Sequence, residues 1–388
     1  MRTYITTHPW LSYNINLRNA PPQLWMLLGE AASKCEHISG VPLRPATAEQ
    51  LHLLYLAKGV AATTAIEGNS LSEEQVLQHI EGTLKLPPSK EYLAQEVENI
   101  IAACNKITVH LRDNDAALTP ERIKLFNKQV LDKLTIDEGV VPGEIRTHSV
   151  VVGSVYRGAP AEDCDYLLDR LCQWLNSTDF EPTTGMDTVY AIIKAVIAHI
   201  YLAWIHPFGD GNGRTARLTE FQILLSAGVP TPTAHLLSNH YNQTRSEYYR
   251  QLDQASKTGG DVTAFLVYAV QGFVDGLQEQ LQRIRQQQWD VIWENYVHDR
   301  FHNKTSPSDI RQRNLVLDLS NSAVPVPPQK INELSPRLAK AYANKTQKTV
   351  QRDLNILEKI GLIERTPDGM KAKKEAILAF LPWKRNKP

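Results

Sequence analysis

Residues 206 to 217 read H-P-F-G-D-G-N-G-R-T-A-R, and no other stretch constrains the chain as strongly. The apolar run Ala191–Ile205 precedes it, and a second stretch with helical spacing, Arg214–Ala227, follows. Pro207 disfavours helical dihedrals at His206, so the first helix should stop there. Gly209, Gly211 and Gly213 let the backbone turn tightly and come close to a ligand. The next helix opens near Asn212–Arg214, where unpaired N–H groups and the positive dipole end favour bound phosphate. Arg214 and Arg217 are three apart and share a helix face, so both guanidiniums can reach one polyphosphate. Asp210 offers the kind of oxygen that Mg²⁺ takes alongside phosphates. His206 borders the same loop and titrates near neutrality, which suits a general base. Each feature alone is common in structural turns. A base, an acidic oxygen ligand, three glycines and two arginines within twelve residues are poorly explained by structure alone.

Most of the first 300 residues carry helical patterning. Helices are expected at 49–64, 72–84, 91–111, 119–134, 161–175, 187–205, 214–227, 246–255 and 262–296. Ser72 and Thr119 stand as cap residues, the latter followed by Pro120 at the first helical position. Val150–Val152 and Val155–Tyr156 flank Gly153 and spell a small hairpin. The expected fold class is mainly α, a helical core with one β-hairpin and a small α+β C-terminal domain. Breakers at 85–90 and 303–309 suggest three parts: a helical region 1–90, a core 91–300 and a tail 301–388.

The chain of 388 residues is 42% hydrophobic and 22% charged, which excludes collagen-like, disordered and coiled-coil readings of the whole. Its zero net charge hides an asymmetry. From Phe301 onward 17 Lys+Arg stand against 8 Asp+Glu, whereas the preceding residues hold 25 and 34, so the tail should meet something acidic. Cys35, Cys104, Cys164 and Cys172 form no CxxC pair or zinc spacing, as expected of reduced thiols in the cytoplasm. The first residues lack the apolar core of a signal peptide, and Ala191–Ile205 is short for a bilayer, so no membrane segment is expected.

His206–Arg217 matches the HPFxDGNGRxxR signature without a gap, and on it the chain resembles the Fic family, whose best-known members are protein adenylyltransferases. Val150–Tyr156 resembles the family's flap, Ser246–Leu252 its adenine-pocket segment, and Thr63–Gly68 its inhibitory motif [ST]xxxE[GN]. The resemblance implies that His206 takes the proton from a Ser, Thr or Tyr hydroxyl that attacks the α-phosphorus of ATP. It further implies Mg²⁺ on Asp210, phosphate oxygens cradled by Gly211, Asn212 and Gly213, the β-phosphate on Arg214 and the γ-phosphate on Arg217. A target protein would add as a strand to the edge of the hairpin. Self-modification and a homodimer are further candidates.

Glu67 stands four residues after Thr63 and just before the helix-stop pair Gly68–Asn69. A carboxylate there could pair bidentately with Arg217 and take the space of the γ-phosphate. Tyr249 is the stronger and Tyr241 the weaker candidate for stacking on adenine. Ser256 departs from the Asn often found in relatives. In the tail, Lys345–Arg365 resembles the recognition helix and wing of winged-helix domains, with Thr346, Lys348, Arg352 and Asn355 on the exposed face as candidate DNA contacts. Two rival functions are a transcriptional regulator whose loop senses a nucleotide, and a transferase of another donor such as UTP or CDP-choline.

Overall fold

The computed structural model describes residues 2–113, 117–152 and 156–378. The fold is mainly α, and among the described residues strands occur only in two two-stranded sheets. The chain divides into two compact units, Met1–Gln282 and Arg283–Pro388.

The first unit is built around the helix Asp187–Ile205. It is apolar on every face, and a helix of that kind must be surrounded. Ile192, Ala195, Val196, Ile197, Ala198 and Ile200 are all buried within it. The helix starts four residues before the apolar run singled out in the sequence. At 19 residues it is long and apolar enough to cross a membrane, but 78% of its apolar window is buried inside the protein. Asn212–Ser226 packs along it, as do Ala161–Leu175 and Pro22–Gly40. The last of these is absent from the expected set, although Leu24, Leu27, Leu28, Ala31 and Cys35 give a regular buried stripe. Pro120–Val130 and Glu91–Asp113 cover Asn212–Ser226 from another side, and Pro45–Ala65 also reaches it. The Thr119 side chain accepts from Arg122 N–H, and Ser72 forms a full capping box with Gln75. Of the helix Thr263–Arg300, residues up to Gln282 belong to this unit. All four cysteines are buried and unpaired.

The second unit has its own core, formed by Trp293, Val297, Leu315, Leu354, Leu357 and Met370 among others. Its helices are Pro307–Ser320, Pro336–Tyr342 and Gln347–Lys359. The spacing over 329–341 suggests one helix, but the chain forms a 3₁₀ turn, Pro328–Glu333, and a short helix from Pro336, because proline ends one segment and opens the next with Ser335 as its cap. Strands Ile363–Thr366 and Gly369–Ala372 pair antiparallel, Ile363 opposite Ala372, and Val326 bridges to Met370. At the centre lies a carboxylate. Asp353 is fully buried and accepts from Arg311 Nε at 2.7 Å, Gln312 Nε2 at 2.8 Å and the Tyr342 hydroxyl at 3.0 Å.

Asp353→Ala would leave the Arg311 guanidinium without its carboxylate, at an expected cost of about 3–5 kcal/mol. Hydrogen exchange should then accelerate across Gln347–Lys359 while Asp187–Ile205 keeps its protection. Unchanged exchange in the second unit would refute this role for Asp353.

Candidate active site

The helix Asp187–Ile205 ends where Pro207 requires it to, but His206 does not adopt the extended conformation usual before proline. It takes the left-handed one, φ 50° and ψ 59°, and its N–H still donates to Leu202 O at 2.9 Å. His206 Nδ1 faces Ala203 O at 3.4 Å, which leaves Nε2 as the acceptor when Nδ1 carries the proton. Burial, with the Arg146 cation adding to it, pushes the imidazole down to about 4, against the pull of the Ala203 carbonyl and the Glu67 and Asp210 carboxylates. The ring is therefore neutral at physiological pH and able to accept a proton.

The loop is held from inside. Asn212 Oδ1 accepts from Phe208 N–H at 2.9 Å and its Nδ2 donates to Phe208 O at 2.8 Å, so this side chain staples the turn. Phe208 is buried beneath it. Asn127 Nδ2 donates to Asp210 O at 2.8 Å, and its Oδ1 accepts from Gly143 N–H at 2.9 Å. Gly211, at φ 75°, turns the chain into the helix Asn212–Ser226. The first turn of that helix presents its N–H groups to the loop.

Both arginines of the motif are buried, with side chains 6% and 1% exposed for Arg214 and Arg217. Arg217 Nη2 donates to Glu67 Oε1 at 2.6 Å and to Thr63 O at 3.0 Å. The pair is thus single-pronged and not the bidentate one expected, because the Thr63 carbonyl, at the end of the helix Pro45–Ala65, shares the same nitrogen. Burial alone would raise the Glu67 carboxyl, but the charge and hydrogen bond of Arg217, helped by Arg214 and His206, bring it below its ordinary 4.5. A Cβ on Gly213 would collide with Glu67 Oε1. The carboxylate therefore sits against the first turn of the helix, where an anion is favoured.

Arg214 Nη2 donates to the Asp210 carboxylate at 3.2 and 3.3 Å, and Nη1 stands 3.6 Å from Glu96 Oε1. Glu96 is in turn held by Asn69 Nδ2 at 2.7 Å. Nε and Nη1 of both arginines are buried without a hydrogen-bond partner. Such donors suit a polyanion with several oxygens. Among the described residues no group of three or more His, Cys, Asp or Glu could hold a metal. Asp210 offers a single half-exposed carboxylate, a donor set that fits Mg²⁺ when phosphates supply further oxygens.

His206, Asp210, Gly211, Asn212, Gly213, Arg214, Arg217 and Glu67 thus gather around one loop. The tyrosines part company. Tyr241 is buried, stacks on Tyr248 at 4.9 Å, and donates its hydroxyl to Glu220 at 2.9 Å. Tyr249 is 43% exposed on the helix Arg245–Lys257. Ser256 is buried and donates to Asp253 O. In the hairpin, Val151–Val152 pairs with Tyr156–Arg157, while residues 153–155 of the expected flap lie outside the described residues. Asn127, Glu96, Asn69 and Arg146 are absent from the sequence-based set. Each stands far along the chain from the motif, and only the Asn beside Gly68 had a local signal.

Residues 117–224 match the Fic/DOC family model. The chain is similar to the protein adenylyltransferase fic-1 of Caenorhabditis briggsae, 30% identical over 59% of this chain and 42% of that protein. It is also similar to the protein of the same name from Caenorhabditis elegans, 33% identical over 53% of this chain and 37% of that protein. It thus spans less than half the length of the curated relatives it matches. A solved structure of C. elegans Fic-1 aligns with TM-score 0.55 at 26% identity, covering 68% of this chain and 73% of that one. The structure of a Fic family protein from Desulfovibrio desulfuricans G20 shares the fold, with TM-score 0.55 at 22% identity over 89% of this chain and 92% of that one.

Arg217→Met should let burial dominate at Glu67 and carry its carboxyl titration above 4.5. Carboxyl ¹³C NMR across acid pH reads the shift. A Glu67 titration that stays low in the variant would refute the pairing.

Proposed function

Starting from the Fic domain at residues 117–224, we propose that the chain is a protein adenylyltransferase, restrained by its own Glu67, that moves AMP from ATP to a Ser, Thr or Tyr hydroxyl of a target protein or of itself. One observation carries the proposal. A neutral imidazole borders a loop with buried, under-satisfied arginine donors, and a carboxylate from elsewhere in the chain already sits among them.

In the forward reaction His206 Nε2 accepts the proton of the target hydroxyl. The hydroxyl oxygen forms a bond to the α-phosphorus, the bond from that phosphorus to the bridging oxygen breaks, and pyrophosphate leaves with the electron pair. Arg214 and the loop N–H groups hold the β-phosphate, and Arg217 the γ-phosphate. Catalysis here is positioning and charge neutralisation in a site that is already organised. Asp210 would hold Mg²⁺, which when bound supplies further positive charge to the phosphates. Glu67 competes directly with the γ-phosphate for Arg217, so ATP that binds beside it has its α-phosphorus turned away from attack. Tyr249 offers an exposed ring for adenine. The edge of the hairpin 150–156 is the proposed docking strand for the target.

Intact-mass analysis of Glu67→Gly with ATP and Mg²⁺ tests the reading. The variant should gain one AMP mass on itself or on an added target, well above wild type, and His206→Ala should abolish the gain in either background. UTP and CDP-choline offered in parallel test the rival donors. No gain on removing Glu67 would sink the restraint, and a gain only with another donor would replace ATP.

The second unit is proposed to be a winged-helix domain that contacts duplex DNA. Thr346, Lys348, Arg352 and Asn355 stand exposed along the helix Gln347–Lys359, beside a two-stranded wing. Binding should weaken linearly in log salt, as phosphate contacts require. Absence of binding at low salt would remove DNA as a partner, and DNA binding without transfer by Glu67→Gly would favour the regulator. A cytoplasmic setting fits the four unpaired, buried thiols.

A further inference from the structure

The hairpin and the end of the core helix meet at one arginine that the reaction above does not use. Arg146 is 4% exposed. Its Nε donates to His206 O at 2.7 Å and its Nη1 to His148 O at 2.6 Å. Its Nη2 donates to Ala159 O and stands 3.5 Å from Ile205 O. Its backbone N–H donates to Pro207 O at 3.0 Å. One planar guanidinium thus gathers carbonyls from the chain entering the hairpin, the chain leaving it and the end of the helix Asp187–Ile205. No local motif announces it, because its partners are all backbone oxygens.

The residue it grips is the strained one. A left-handed conformation at a residue with a Cβ persists only when its surroundings hold it. Here the His206 carbonyl is drawn onto Arg146 Nε. The departing hairpin also presses on the same residue, since a Cβ on Gly158 would lie 2.9 Å from His206 Cβ and 3.0 Å from Arg146 Nη2. The Tyr156 hydroxyl donates to Trp204 O at 2.8 Å, one residue before the helix ends.

We propose that Arg146 is a positioning residue of the transfer site, holding His206 in its left-handed turn and fixing the target-docking hairpin to it, so that hydroxyl and imidazole meet in one geometry. The inference rests on the proposed transfer reaction, but its physical content is the tie that Arg146 makes between His206 and the chain entering and leaving the hairpin. Lysine keeps the charge and has one compact head, which cannot reach these separated carbonyls together. Methionine removes the charge as well. The charged groups facing His206 are Arg146, Glu67 and Asp210. Removing the cation while both carboxylates remain favours imidazolium, so His206 should titrate somewhat above about 4, with burial, the larger cause, still holding it below 6.5.

The experiment uses the full chain. In the Glu67→Gly background, Arg146→Lys and Arg146→Met should each lower kcat for AMP transfer by roughly 10- to 100-fold, the scale of a misplaced reacting group. The ATP dissociation constant should stay at the parent value, since the phosphate loop is untouched. In the chain with Glu67 intact, ¹³C-histidine NMR, with the His206 signal assigned by its loss in His206→Ala, should show a higher titration in Arg146→Met and little movement in Arg146→Lys. Parent-like kcat in both variants would overturn the proposal. So would a loss of transfer matched by equal losses of ATP affinity and thermal midpoint, which marks mere support of the fold. If Glu67→Gly transfers nothing from any donor, the proposed reaction fails by itself, and hydrogen exchange at the His206 and Gly158 N–H groups of the charge-conserving Arg146→Lys decides the holding role of Arg146. Parent-like protection at both then sinks the inference, and faster exchange confined to them sustains it.

Discussion

A helix that is apolar on every side and buried inside protein cannot end without partners for its last carbonyls. The end of Asp187–Ile205 meets this demand group by group. Leu202 O accepts from His206 N–H, Ala203 O faces the imidazole, Trp204 O accepts from the Tyr156 hydroxyl, and Ile205 O accepts from Ala159 N–H. The same bonds that satisfy the helix end therefore attach the hairpin segment and orient His206. One set of contacts thus satisfies the helix end and holds the left-handed histidine, with Arg146 adding its bond to the His206 carbonyl.

The second organising feature is electrostatic. Two buried guanidiniums and a helix N-terminus converge on a small space, and such a concentration of positive charge needs an anion. Glu67 supplies it to Arg217, while Asp210 and Glu96 stand against Arg214. None of these carboxylates saturates the donors facing it. A polyphosphate offers more oxygens in the same volume, and the proposed competition with Glu67 draws on that difference. The proposed restraint would need no large motion, since only the Glu67 side chain stands between Arg217 and an incoming anion.

Much of this was legible along the chain. The caps at Ser72 and Thr119, the helices around the glycine loop and the grouping of His206, Asp210, Arg214 and Arg217 follow from local spacing. Glu67 was legible only through its short motif, since nothing local ties residue 67 to residue 217. Pro22–Gly40 is absent from the expected helices despite a regular stripe of apolar residues, and Pro336 divides a segment whose spacing suggests one helix. Tyr241 shows where residue type is silent. A tyrosine can stack on a base or carry a buried hydroxyl to a carboxylate, and here its hydroxyl reaches Glu220 inside the aromatic cluster.

The sequence by itself determined the local chemistry: where helices begin and end, where glycine allows the backbone to turn, and which titratable groups stand within one loop of each other. These depend on dihedral preference and short spacing, which a linear string records. Only the tertiary structure decided which distant groups complete the site. The Glu67 carboxylate lies against Gly213, Asn69 steadies Glu96 beside Arg214, and Arg146 reaches the carbonyl of His206. Such contacts arise from burial of unlike segments against a shared core, and their partners are often backbone atoms that every residue possesses, so apart from the short motif at Glu67 no pattern of side chains announces them.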